Sequence, residues 1–162
     1  MLPLLFAYSA KLKLNSISGE RILDIEDFIL GYRQTALRNN ELITGVIIPK
    51  PVAGSQLLAY KVSKRKDLDI STVCASFNLR LDKGSVAALV IAYGGMAATT
   101  RRASSTEKFL TGKEWTRPNV EEAMKILSAE FEPISDARSE AEFRSTAARN
   151  LLLKFYSETT TN

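Results

Sequence analysis

Strands first, helices afterwards and one strong hairpin between them place this chain in the α+β class. The expected form is an antiparallel sheet of three to four strands followed by a three-helix layer, a two-layer sandwich. Three observations lead there. Ser71–Leu81 alternates strictly, with Val73, Ala75, Phe77, Leu79 and Leu81 on one side and Thr72, Cys74, Ser76, Asn78 and Arg80 on the other. Asp82-Lys83-Gly84-Ser85 joins it to the nearly all-apolar run Val86–Tyr93, so the two read as an antiparallel hairpin whose second arm is a central strand. From Ser104 onward the signals are helical.

In chain order, Leu2–Ala10 reads as a short helix with Pro3 in its first turn, where a missing N–H costs little. Lys11–Asn15 and Arg21–Ile25 read as strands around a turn at Ser16–Glu20, and Asp24 opens one helical turn through Leu30 that Gly31 closes. Gly31–Thr35 has no period and reads as a surface connection. Glu41–Ile48 carries apolar residues on both faces and reads as a strand covered on both sides, stopped by Pro49 and Pro51. Leu57–Val62 is the strand before the hairpin. Gly94-Gly95, after the central strand, implies an unusual backbone path or a close approach, a tight turn more than a phosphate cradle.

Three capping-box sequences follow. Ser104–Glu107 opens a helix to Leu110 with Gly112 past its end, and Asn119–Glu122 opens one carrying Val120, Ala123, Met124, Leu127 and Phe131. Ser139–Glu142 opens a long helix with Phe143, Ala147, Leu151 and Phe155 every fourth residue, joined by Ala148 and Leu152, a stripe that reads as core or subunit contact. Thr159–Asn162 reads as frayed, and Trp115 as a loop anchor under the helices.

The chain has no histidine, which removes the commonest general base, the commonest zinc ligand and the usual nucleophile triad together. It has no Gly-x-Gly-x-x-Gly, Walker-type or Cys-x-x-Cys sequence, so no catalytic residue and no metal site is assigned. Its single cysteine, Cys74, excludes an internal disulfide framework and fits a soluble, reducing, cytoplasmic setting. The apolar run Leu2–Ala10 stops at Lys11, short of a bilayer span and without a basic leader, so neither a membrane segment nor a secretory signal is expected. Net charge is +4, but the cations are spread among acids, and only Tyr60 abuts the densest cluster; nucleic acid is not an expected partner.

That cluster is the candidate site. Lys61, Lys64, Arg65 and Lys66 fall within six positions, followed by Asp67 and Asp69, at the mouth of the alternating strand. A charged loop at a strand end is a natural place for a functional contact. Its bland reading is a solvated loop neutralised by its own two aspartates.

The run Ala59-Tyr60-Lys61-Val62-Ser63-Lys64-Arg65-Lys66-Asp67-Leu68-Asp69-Ile70-Ser71-Thr72-Val73 resembles the FAD-binding (small) subunit of bacterial xanthine dehydrogenase, in the molybdenum hydroxylase family. So do Ile91-Ala92-Tyr93-Gly94-Gly95-Met96-Ala97 and the ending Phe143-Arg144…Asn150–Tyr156. The resemblance is collinear over essentially the whole chain. It implies that residues 1–38 are the tail of an FAD-binding α+β domain and residues 39–162 a CO dehydrogenase flavoprotein C-terminal-like domain. It also implies that the two Gly-rich pyrophosphate-binding segments of the family are not in this stretch, so FAD would not be held tightly by it alone.

By the same resemblance, Lys61 matches a lysine near the isoalloxazine, and Ile43 a residue packing against the flavin, though core packing explains Ile43 equally. A cation there favours the anionic reduced ring. In such enzymes electrons pass from a molybdenum centre through iron-sulfur clusters to FAD and then to NAD. The implied partners are therefore the iron-sulfur and molybdopterin domains, with NAD as electron acceptor; for Lys64, Arg65 and Lys66 the solvated loop is the favoured reading, and steering of NAD towards the flavin its rival. A second reading is a stand-alone interaction module, a homo-oligomer in which orphaned surfaces cover each other.

Overall fold

The structure, a computed structural model, describes residues 1–65 and 69–160. Helix α1 (Leu2–Ala7) carries Pro3 in its first turn, as expected, but stops early. Ser9 takes a left-handed φ of 50°, and the Ala10 N–H turns back to Leu5 O. Strands β1 (Lys11–Ser16) and β2 (Gly19–Asp24) form a hairpin, and α2 (Ile25–Phe28) is the expected single turn. Ile29 and Leu30, expected to continue that turn, and Gly31–Thr35, read as a surface connection, instead form a small ribbon, β3 (Ile29–Gly31) against β4 (Gln34–Thr35), turned at Arg33 with φ 56°.

Strand β5 (Leu42–Ile47) pairs with β1, giving a three-stranded antiparallel sheet of order β2-β1-β5. The pairing joins residues on both sides of the expected 38/39 division. The expectation that this strand is covered on both faces fails. Leu42 and Ile43 are 71% and 49% exposed, and Val46, Ile47 and Ile48 are exposed too. Apolar residues on both faces suggest a strand covered on both sides, but no described element packs over β5, which is also an edge of its sheet.

The larger sheet has order β6-β7-β8-β9, from β6 (Ser55–Val62), β7 (Val73–Asp82), β8 (Ser85–Gly94) and the short β9 (Arg101–Arg102). Asp82 pairs with Ser85, leaving Lys83 and Gly84 as a two-residue loop with φ of 49° and 84°. Two successive positive φ values are the type I′ geometry whose twist matches a hairpin. Against one face lie α3 (Ser104–Leu110), α4 (Arg117–Glu130) and α5 (Ala141–Thr160). The core between them is aromatic: Phe77 stacks on Phe155 at 4.7 Å and meets Tyr93 edge-on at 5.9 Å, all three fully buried.

The opposite face, the more polar side of the alternating strand, is also covered. Thr72 and Ser76 are 2% exposed, α1 packs on β7 and β8, and Asn78 Nδ2 donates to Ala7 O at 2.9 Å. Small polar side chains on β7 leave room for a helix to come close. A Cβ added at Gly94 would lie 2.7 Å from Cys74 Sγ and 3.3 Å from Pro3 Cγ. A second apolar cluster of Phe6, Leu12, Leu14, Ile25, Phe28 and Ala92 locks the smaller sheet to this face.

The helices exist where their spacing placed them, but their starts differ. None of the three capping boxes forms. Glu107 turns inward, where it accepts from Ile91 N–H at 2.7 Å and from Arg102 Nη2 at 2.6 Å. The open amides of Ser105 and Thr106 are taken instead by Glu130 of α4, at 2.6 and 3.0 Å. Helix α4 begins two residues before Asn119, with Pro118 in its first turn. At α5 the Ala141 N–H is taken by Ser135 Oγ at 2.9 Å.

The inner stripe of α5 is also rotated from the expected one. Phe143 is 51% exposed, whereas Arg144, Ala148, Leu151, Leu152, Phe155 and Thr159 are buried. Thr159, expected to fray, is helical and accepts a bond from Trp115 Nε1 at 2.9 Å; Thr160 is helical as well. The remaining residues of that expectation, 161–162, lie outside the described residues. Trp115 is the anchor foreseen, edge-on to Phe155 and Tyr156.

Candidate functional site

The β6–β7 connection leaves the sheet between two clefts. Its neck is closed by Thr72 N–H donating to Val62 O at 2.8 Å. Beyond the neck the chain folds on Asp69, whose carboxylate accepts from the Arg65 N–H at 2.9 Å and from its own neighbour, the Ile70 N–H, at 2.9 Å. The Arg65 guanidinium lies 3.5 Å from the same carboxylate. The Arg65 amide is the main reason the Asp69 carboxyl is held below its ordinary range, with the nearby guanidinium acting in the same direction. Ser63 Oγ donates to Arg65 O at 2.8 Å, completing a hydrogen-bonded turn. Lys66 and Asp67, part of the expected cationic run and its neutralising pair, lie outside the described residues, as does Leu68.

Lys61 stands on the α1 side. Its ammonium donates to Asp69 O at 2.6 Å, and the residue lines a cavity of about 230 Å³ with Pro3, Leu4, Tyr60, Ser71 and Cys74. Burial raises the pKa of the Cys74 thiol, so it stays protonated at neutral pH and behaves as a small packed residue. On the helix side a cavity of about 350 Å³ is lined by Val62, Lys64, Thr72, Arg138, Glu140 and the exposed Phe143. Lys64 reaches across towards Ala137 O at 3.4 Å. Lys61 and Lys64 therefore serve opposite sides of one loop.

Ile43 is elsewhere, on β5 in the smaller sheet, paired with Leu14 and half exposed. Its side chain is not part of either buried core cluster. No hydrogen bond or described cavity joins Ile43 to Lys61.

Sequence reasoning passed over Arg144. It is 4% exposed, and its Nη1 donates to Thr72 O at 2.5 Å and Gly95 O at 3.0 Å. Its Nη2 donates to Asp136 Oδ1 at 2.7 Å. Gly95 has φ 83°, and a Cβ there would collide with Thr72 O and approach Arg144 Nη1 to 3.2 Å. That explains the second glycine by internal packing. The signal available beforehand was an arginine in step with Ala148, Leu151 and Phe155 on the apolar helix period.

Two family models match. The CO dehydrogenase flavoprotein C-terminal domain matches residues 58–159, and the FAD binding domain in molybdopterin dehydrogenase matches residues 1–51. The chain is 37% identical to a xanthine dehydrogenase of Blastobotrys adeninivorans and 35% identical to a nicotinate hydroxylase of Emericella nidulans. Each alignment spans 96% of this chain and 12% of the relative. Among solved structures, a carbon monoxide dehydrogenase from Hydrogenophaga pseudoflava superposes with a TM-score of 0.89 at 27% identity, over 94% of this chain and 53% of that one. Quinoline 2-oxidoreductase from Pseudomonas putida 86 gives 0.85 at 25% identity, over 98% and 54%.

Two joined sheets with a helical layer are thus the architecture of part of a flavoprotein subunit. The chain belongs to the FAD-subunit family of the molybdenum hydroxylases, in which FAD is the cofactor of the intact subunit. It spans about an eighth of the curated relatives and about half of the solved flavoprotein chains.

An exposed lysine lining a cavity with Pro3 and Leu4 is chemistry that suits part of FAD, an anionic edge of its apolar ring. The Gly94-Gly95 pair offers no place for its diphosphate: the space a Cβ would take at Gly95 is already filled by Thr72 and Arg144.

Proposed function

We propose that this chain forms one wall of the flavin pocket in a xanthine dehydrogenase-type molybdenum hydroxylase, with Lys61 at the ring's polar edge and Ile43 against its apolar surface. The observation that carries this reading is the pinned Lys61 ammonium at the lip of a cavity floored by Pro3 and Leu4. When bound, FAD supplies reversible electron storage. The chain's own residues set the charge and dielectric around the ring and keep water from one side of it. In the intact enzyme this wall sits where electrons from the iron-sulfur clusters reach FAD and leave to NAD, with the molybdopterin domain choosing the substrate. The similarity to both a xanthine dehydrogenase and a nicotinate hydroxylase is consistent with substrate choice lying outside this stretch. A reducing, cytoplasmic setting fits the single thiol.

The test is a flavin titration of the purified chain. Weak, fast-exchanging binding is expected, with fluorescence quenching that Lys61→Met reduces. Yellow protein that keeps its flavin through gel filtration would overturn weak retention. Quenching that is identical in Lys61→Met would remove Lys61 from the site.

A second reading is favoured by the uncovered apolar edge strand β5. In this reading the chain is an interaction module that self-associates through that edge. Light scattering that finds only monomer at high concentration would end it.

A further inference from the structure

A buried guanidinium is costly to desolvate and is retained where its fork holds several acceptors at once. Arg144 sits near the start of α5 with two nitrogens spent on three acceptors from three segments. These are Thr72 O at the neck of the β6–β7 connection, Gly95 O past the end of β8, and Asp136 ahead of the helix. Its Nε is buried with no partner among the described residues, so the hold on the neighbouring chain runs through the two terminal nitrogens. Asp136 is itself fixed by the amides of Arg138 and Ser139, at 2.9 and 3.1 Å.

Thr72 is the residue through which this hold reaches the loop. Its carbonyl is taken by Arg144 and its N–H by Val62 O, so it is clamped from both sides. Lys61 and Lys64 flank Val62, one on each side of the neck. The approach is tight enough that residue 95 must be glycine.

We infer that Arg144 is the positioning residue of the cationic loop: by clamping Thr72 against Gly95, it fixes the neck and so the places of Lys61 and Lys64 at their two cavities. Its consequence for FAD rests on the flavin-wall reading above; the positioning itself does not.

Three variants test it in the full chain. Arg144→Gln keeps polarity but loses the fork, Arg144→Lys restores a charge that can reach two acceptors, and Asp136→Asn weakens one anchor from an exposed position. Two readouts are local. One is amide exchange of the segments holding Thr72 and residues 61–65. The other is the rate at which an amine-reactive reagent labels Lys61 and Lys64, with Lys125 on the distant face of α4 as internal control. Losing a charge-assisted buried bond predicts about tenfold faster exchange at the neck in Arg144→Gln, with residues 11–24 changing less than about twofold. Lys61 and Lys64 labelling should shift while Lys125 does not. Arg144→Lys should recover part of the protection, and Asp136→Asn should fall between.

Exchange that rises uniformly through β1, β2 and α4 would overturn the inference by making Arg144 a general stability residue. So would an unchanged neck. Where Arg144→Gln does not fold, Asp136→Asn decides alone: a local rise at the neck supports the clamp, and none overturns it. Flavin quenching measured in parallel separates the two readings. Labelling that shifts while quenching does not leaves the clamp standing and removes the flavin wall.

Discussion

Thr159→Val tests whether the last turn of α5 is a structural lock. Thr159 Oγ accepts from Trp115 Nε1 at 2.9 Å while its own proton goes to Phe155 O at 2.8 Å. Trp115 is 6% exposed and Thr159 7%, so water cannot replace the lost acceptor without opening the contact. Valine keeps the volume and the branching. The carbonyl of Phe155 keeps its helical N–H, so the loss falls on the stranded indole donor. An unsatisfied buried donor costs about 1–3 kcal/mol, and the relief of burying one hydroxyl fewer places the net near the middle, about 1.5 kcal/mol. For a chain of this size that lowers Tm by about 3–6 °C. The assay is thermal and urea unfolding of wild type, Thr159→Val and Thr159→Ser, with indole fluorescence reporting the environment of Trp115, the sole tryptophan. Serine keeps the acceptor and should lose less than valine. If valine matches wild type, or serine is hurt more than valine, the hydrogen bond is not what holds this end.

Other outcomes follow from the same physics. Glu107→Ala strands the Ile91 N–H and a half-buried Arg102; it should cost about 3 kcal/mol by denaturant unfolding. Glu122→Ala, which loses only an exposed partner in Lys125, should leave the midpoint unmoved. The Arg21 fork, with the Arg38 N–H, holds the Glu41 carboxyl down from 4.5 to about 2. A depressed folded pKa means that its contribution is present above about 4.5 and is lost as pH falls towards about 2. Unfolding followed across that window should show a steeper acid loss in wild type than in Glu41→Gln; equal slopes would remove Glu41 from the acid response. Gly95→Ala must place a Cβ against Thr72 O in a left-handed conformation, and should destabilise more than Gly112→Ala, whose added Cβ meets nothing. Equal midpoints in those two variants would mean that the neck is not tightly packed.

Much of the fold was written in local pattern. Period-two alternation gave β7, an apolar run gave β8, and Lys83-Gly84 gave the turn whose positive φ values the structure bears. Helix positions followed from the spacing of Val120, Ala123 and Leu127 and of Ala148, Leu152 and Phe155. These signals are legible because each depends on neighbours within a few residues. Resemblance supplied the family, and with it Lys61 and Ile43 as candidates.

What pattern could not give was decided by partners distant in sequence. The polar side of β7 is buried because α1, some seventy residues earlier, packs on it. Glu107 satisfies Ile91 rather than its own helix start because a buried strand amide had no other acceptor, and Glu130 from α4 was available for the cap. The two apolar faces of β5 describe an edge with nothing over it, a distinction that composition cannot make. Arg144 drew no reading from the sequence; its role appears only where Thr72, Gly95 and Asp136 converge on it. Sequence alone determined most of the elements, the hairpin and the family. Only the tertiary structure decided which faces are covered, which charges are buried and what holds the cationic loop, because burial and hydrogen-bond satisfaction are properties of segments brought together from across the chain.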